Sequence, residues 1–103
     1  MAEADLVLGY DFGTSAVKTA LFARDGTIIA AAEAAYPLLL PQPGWAEQVP
    51  GDWWSAMQAA TRQVMAAVSP ARVVGIGISA QMGGVVPVDA SGQALANALI
   101  WLD

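Results

Sequence analysis

The residues best suited to chemistry lie near the start of the chain. Asp11, Gly13, Thr14, Ser15 and Lys18 fall in the run Leu6-Val7-Leu8-Gly9-Tyr10-Asp11-Phe12-Gly13-Thr14-Ser15-Ala16-Val17-Lys18. Small residues between two apolar segments let the backbone N–H groups of Gly13, Thr14 and Ser15 point into one concavity, and the two hydroxyls add donors. That is a nest for phosphate oxygens. Asp11 cannot face a phosphate directly, because like charges at contact distance repel. A hydrated Mg²⁺ between them removes the conflict, since that ion keeps most of its waters and takes one or two carboxylates plus phosphate oxygens. Lys18 then neutralises remaining charge. The plainer reading is an ordinary hairpin in which Asp11 caps the bend and Lys18 is solvated.

No G-x-x-x-x-G-K-[ST] string occurs, and no G-x-G-x-x-G stands between a strand and a helix. Gly75-x-Gly77 lies inside a β-branched apolar run, where close strand packing is the natural meaning. Phosphate binding, if present, therefore belongs to a hairpin tip and not to a helix N-terminus.

The elements that must position this tip can be read from the hydrophobic pattern. Strands are predicted over Leu6 to Phe12 and Val17 to Ala23, and the Asp25-Gly26 turn leads into a third from Thr27 to Ala34, giving an antiparallel meander. Four of six prolines, Pro37, Pro41, Pro43 and Pro50, fall between Tyr36 and Gly51, which predicts an extended loop outside any sheet. Within it, Gly44-Trp45-Ala46-Glu47-Gln48 places an aromatic beside an acid and an amide, and Trp45 is read as a plug for the edge of the core in preference to a direct ligand contact.

A helix is predicted from Asp52 to about Val68. Its apolar stripe is Trp53, Met57, Ala60, Val64 and Val68, joined by Trp54 and Met65. Asp52 suits the helix dipole, and Ser69-Pro70 ends the helix. Val73 to Ser79 then reads as a strand parallel to the first and covered on both faces. After the Gln81 loop come a predicted strand over Val85–Val88, a turn at Asp89–Gly92 and a last apolar run from Ala98 to Leu102. Ligands collect at the carboxyl ends of parallel strands. That rule places Asp11, the Gln81 loop and Asp103 on one rim.

Composition bounds what such a rim can do. The 103 residues suffice for one small domain. A hydrophobic content of 56% with 13% charged residues implies surface covered by further chain. Net charge is −5, and the cations are Lys18, Arg24, Arg62 and Arg72, so there is no basic patch for nucleic acid or an anionic membrane. Cysteine and histidine are absent, which excludes disulfides, a thiol nucleophile, a Ser-His-Asp triad and the usual zinc sites. The acidic start and the lack of an apolar run near about 18 residues favour a cytoplasmic protein.

Four separated segments together resemble the amino-terminal part of the FGGY carbohydrate kinases, and among them the xylulokinases most. They are Gly9-x-Asp11-x-Gly13-Thr14-Ser15-x-Val17-Lys18, Gly44-Trp45-x-Glu47-Gln48-x-Pro50-x-x-Trp53-Trp54, Gly75-Ile76-x-Ile78-Ser79-x-Gln81-Met82 and Ile100-Trp101-x-Asp103. The resemblance implies an α/β, ribonuclease H-like domain of the actin, Hsp70 and sugar kinase superfamily. Residues 1–103 would be part of that N-terminal domain, with the remainder of the domain and a C-terminal ATP-binding domain outside the sequence.

The implied reaction is transfer of the γ-phosphoryl group of Mg-ATP to a sugar hydroxyl. Carried over by matched position, Asp11 would organise Mg²⁺ through water, Gly13, Thr14 and Ser15 would form the first phosphate loop, and Lys18 would screen phosphate charge. Gln81, Met82 and Gly83 would line the sugar site, and Asp103 would accept hydrogen bonds from the sugar. Xylulokinases usually have histidine where this chain has Gly83, and tend to have asparagine where it has Leu102; both changes remove polar contacts from the sugar site. The family's general base lies beyond residue 103, so the fragment alone is expected to be inactive. A homodimeric parent is a further expectation. Two readings from other classes share the same hairpin: an actin-like or Hsp70-like ATPase, and a non-enzymatic association module.

Overall fold

Alternation of inward and outward side chains decides the first elements. In the computed structural model, which describes residues 5–103, β1 (Leu6–Phe12) turns Leu6, Leu8 and Tyr10 inward and Val7 and Asp11 outward. Its antiparallel partner β2 (Ala16–Phe22) buries Val17, Thr19 and Leu21 on the same side. A turn follows in which Gly26 adopts φ 91° and Asp25 accepts from the Thr27 N–H at 2.9 Å. The chain then returns as β3 (Ile28–Ala35), antiparallel to β2. The predicted meander is present, with β2 starting and β3 starting one residue away from expectation. The acidic start, Met1 to Ala4, lies outside the described residues.

Helix α1 (Pro50–Val64) covers the inner face of β2 and β3. It begins two residues earlier than predicted because Pro50, whose ring presets the helical φ and which needs no N–H partner, takes the first position. It ends at Val64, not Val68; the chain continues to Val68 as turns, with Met65 N–H reaching the Thr61 and Gln63 carbonyls. Ala56, Ala60 and Val64 are buried, while Trp54, placed on the core stripe by its spacing, is 61% exposed. Core packing joins these residues to Leu6, Leu8, Tyr10, Val17, Leu21 and Tyr36.

A single 3₁₀ turn (Pro70–Arg72) leads into β5 (Val73–Ala80), which lies parallel to β1 and completes a sheet of order β3-β2-β1-β5. The parallel pairing is as predicted; the cover on both faces is not. β5 is an edge strand, and Val74, Ile76 and Ile78 are more than 60% exposed. An apolar cavity of about 490 Å³ opens between α1 and this edge, lined by Phe12, Trp53, Trp54, Met57, Ile78 and Ile100 among others. Nor do Gly75 and Gly77 serve close packing among the described residues, since a Cβ on either would meet open space.

The proline-rich stretch also departs from expectation. Glu47–Gln48 forms β4, paired antiparallel with β6 (Ala98–Leu99), and Leu39 bridges Glu47. Proline excludes ladder donors only at its own position, and residues 44–49 contain none. Trp45 does not plug the core; it is 46% exposed, while its neighbours Ala46 and Gln48 are the buried residues. The predicted strand over 85–88 reduces to single bridges from Val85 to Leu99 and from Val88 to Ala94, flanking a turn in which Asp89 accepts from the N–H groups of Ser91 and Gln93.

Candidate functional site

The site grows from the tip of the β1–β2 hairpin. Gly13 N–H donates to the Ala16 carbonyl at 3.0 Å, closing a turn with Thr14 and Ser15 at its apex. The Gly13 amide is therefore engaged by the turn and is not free to face a ligand, a correction to the three-amide nest expected from composition. All three tip carbonyls are tied inward. The Tyr36 hydroxyl donates to Gly13 O at 2.5 Å, Gln48 Nε2 donates to Thr14 O at 2.6 Å, and the Tyr36 N–H donates to Ser15 O at 3.1 Å. No partner engages the backbone N–H of Thr14 or Ser15 among the described residues. A loop whose acceptors are occupied and whose donors are open carries partial positive charge toward solvent, which suits an anion.

The sheet brings further groups beside this tip. Because β1 and β5 are parallel and in register, Asp11 pairs with Ser79, whose hydroxyl donates to Asp11 Oδ1 at 3.1 Å. Gln81 follows β5 directly; its N–H donates to Phe12 O at 2.7 Å, and its side-chain oxygen accepts from Thr14 Oγ1 at 3.5 Å. An open cavity of about 460 Å³ is lined by Asp11, Gly13, Thr14, Ala80, Gln81, Met82 and Trp101. Five residues singled out from sequence thus share one cavity.

The remaining candidates are placed differently. Lys18 lies on the outer face of the sheet, in register with Asp11 on one side and Glu33 on the other, and lines a neighbouring cavity with Asp11 and Ser79. Ser15 stands exposed at the apex. Gly83 adopts φ 72°, a region where glycine is favoured, and a Cβ there would lie 3.5 Å from Trp101 Cβ. Asp103 does not line the cavity; its Oδ1 accepts from the Ala46 N–H at 2.8 Å and so anchors the Gly44–Gln48 segment.

Sequence reasoning assigned no role in the site to three participants, although Gln48 and Trp101 fall within the motif segments. Trp101 lines the cavity and donates its indole N–H to Thr14 Oγ1 at 2.9 Å. Tyr36 and Gln48 hold the tip from behind. All are far from residues 11–15 along the chain, so no local spacing rule points to them.

Burial, and then the negative charge of Asp11, push the Tyr36 phenol above its ordinary value of 10.0. A phenol with a raised folded value binds its proton more tightly folded than unfolded, so its contribution is present below the ordinary value and is lost as pH rises above it. Urea midpoints measured from about pH 9 to 11 should fall less steeply for Tyr36→Phe than for the parent, isolating this group from other titrations. Equal slopes would remove Tyr36 from the alkaline transition.

A mixed sheet of order β3-β2-β1-β5 with a crossover helix, shared with solved sugar kinases, is the fold of the actin, Hsp70 and ribonuclease H-like class. Residues 6–103 match the FGGY family of carbohydrate kinases, N-terminal domain. The chain belongs to that family. It is 37% identical over 98 residues to a xylulose kinase from Klebsiella pneumoniae, covering 95% of this chain and 20% of that protein. It is 38% identical over 100 residues to a glycerol kinase from Nitrobacter hamburgensis, with 94% and 20% covered. The crystal structure of a xyloylose kinase from Brucella ovis superposes with a TM-score of 0.90 at 36% identity, over 95% of this chain and 21% of that one. The chain thus spans about a fifth of the length of these relatives. No helix among the described residues is long and apolar enough to cross a membrane.

Proposed function

We propose that this chain is the part of an ATP-dependent carbohydrate kinase that grips the transferred phosphoryl group and one side of the sugar, with a xylulose-type ketose as substrate. The observation that carries the reading is the tip itself: its carbonyls are bound inward, its Thr14 and Ser15 amides are open, and Asp11, Gln81 and Met82 share its cavity. Thr14 and Ser15 hold phosphate oxygens, Gly13 makes the turn, and Lys18 screens charge from the adjoining sheet face. Gln81, Met82 and Gly83 face the sugar. Asp103 contributes from the Ala46 side, with one carboxylate oxygen already engaged.

Magnesium fits this donor set. Asp11 is exposed, forms no ion pair among the described residues, and stands beside the open amides of the tip, so it would hold a divalent cation that offsets its own charge and that of a phosphate. When bound, the ion neutralises phosphate charge. Asp11 would orient its water shell, and the open amides of Thr14 and Ser15 would hold the terminal phosphate oxygens. The general base and the adenosine site belong to chain beyond these residues, as the coverage of one fifth of the relatives supports.

Glycerol kinase similarity makes a small polyol the second candidate. The complete protein, given Mg-ATP with D-xylulose, glycerol or D-gluconate in turn, should release ADP fastest with D-xylulose, by at least about tenfold in kcat/KM. ADP release that no sugar or polyol accelerates would establish the ATPase reading instead. The isolated 103-residue chain should show no sugar-dependent release.

A further inference from the structure

Gln48 is fully buried, yet it carries three hydrogen bonds that join three separate elements. Its Oε1 accepts from Trp53 Nε1 of α1 at 3.0 Å and from Gln81 Nε2 at 2.9 Å, and its Nε2 donates to Thr14 O at 2.6 Å. The Trp indole is a donor only, so Gln48 must present its oxygen to Trp53 and its nitrogen to Thr14. Gln81 must then present its own nitrogen to that oxygen, which turns its Oε1 toward Thr14 Oγ1. One buried amide therefore dictates both the seating of the tip backbone and the orientation of the Gln81 amide in the cavity.

We propose that Gln48 is a positioning residue that couples the phosphate grip to the sugar grip; this rests on the kinase reading above. Because Gln48 is shut off from water, nothing replaces a bond it loses, and the two loops cannot settle independently. A sugar that immobilises the Gln81 amide also immobilises Thr14, and a nucleotide held at Thr14 and Ser15 orders Gln81 in advance. Each ligand then finds the other's site already ordered, which is positive and reciprocal coupling.

The test uses the complete protein and whichever of D-xylulose, glycerol and D-gluconate it phosphorylates best. Sugar affinity is measured by calorimetry with and without Mg²⁺ and a non-hydrolysable ATP analogue. The parent should bind sugar about fivefold or more tightly in the presence of the analogue. Gln48→Met, similar in volume but without the three bonds, should bring that ratio close to one. Val64→Ala, which weakens the buried face of α1 without touching this network, should leave the ratio unchanged. A Gln48→Met protein that loses thermal stability yet keeps the parent ratio overturns the proposal, because Gln48 is then structural only.

Hydrogen exchange on the parent gives a readout that needs no variant: sugar should slow exchange at the Thr14 and Ser15 amides, and the analogue should slow it at the amides of 81–83. Absence of this reciprocity also overturns the coupling. A parent that phosphorylates none of the sugars overturns the kinase reading itself, and this outcome is distinguishable because it appears before any variant is made.

Discussion

Replacing Asp11 by asparagine in the complete protein should lower kcat about a hundredfold to a thousandfold, with little change in stability. Asp11 is exposed at the end of β1, and its hydrogen bond from Ser79 is one that an asparagine oxygen can also accept. The substitution therefore keeps shape and position and deletes only the charge. That charge has no ion-pair partner among the described residues, and it stands beside the open amides of the tip. If it serves to hold a hydrated cation against the phosphates, its loss acts on the transition state, where charge on the transferred group must be balanced. Sugar KM should move less than about threefold, because Gln81 and Met82 are untouched. Steady-state rates at saturating Mg-ATP, with thermal denaturation of the same preparations, decide the matter. A loss below about tenfold would place Asp11 in the turn-capping role instead.

Ser79→Ala is the informative companion. Ser79 pairs with Asp11 in the β1–β5 register, and its side chain meets the carboxylate through its hydroxyl. It steadies the carboxylate without supplying charge, so its removal should cost far less than removal of the charge.

The hairpin and its parallel partner were legible because each rests on local pattern. Alternation in β1 and β2, the Asp25-Gly26 turn and the β-branched run of β5 name their own conformations, and the apolar character of β1 and β5 with a helix before β5 favours a parallel return. What escaped is non-local. The β4–β6 ladder is two residues long and joins positions about fifty apart, too short for any periodicity. Gln48 was visible as an amide beside an acid, but its importance lies in three partners at Thr14, Trp53 and Gln81 that only the fold assembles. The expected cover over β5 failed for another reason. An apolar strand pattern reports what the strand is built to bury, while the exposed Ile76 and Ile78 show that the described residues do not bury it. For the same reason the four motif segments identified the family more securely than any one of them described the site's geometry.

Leu21→Ala should produce the largest loss of stability of any single truncation near the site. Leu21 is 0% exposed, in a strand flanked by β1 and β3 and covered by α1, with Leu8 and Ala30 as its cross-strand partners. Deleting three buried carbons in such a setting costs about 2–5 kcal/mol, the spread depending on how far the cavity can collapse. Here collapse is restricted, because its cross-strand partner Ala30 and Ala60 of the same core cluster are already small and Leu21 lies in a strand paired on both sides. The loss should appear locally as hydrogen exchange about thirtyfold or more faster across β1 and β2 in the complete protein, since each 1.4 kcal/mol is a factor of ten. Turnover below the melting temperature should stay near that of the parent, because Leu21 belongs to the core cluster and does not line the tip cavity. The opposite pattern, unchanged exchange with lost activity, would mean that β2 is held from outside this chain and that Leu21 reaches the site by a route the core packing does not provide.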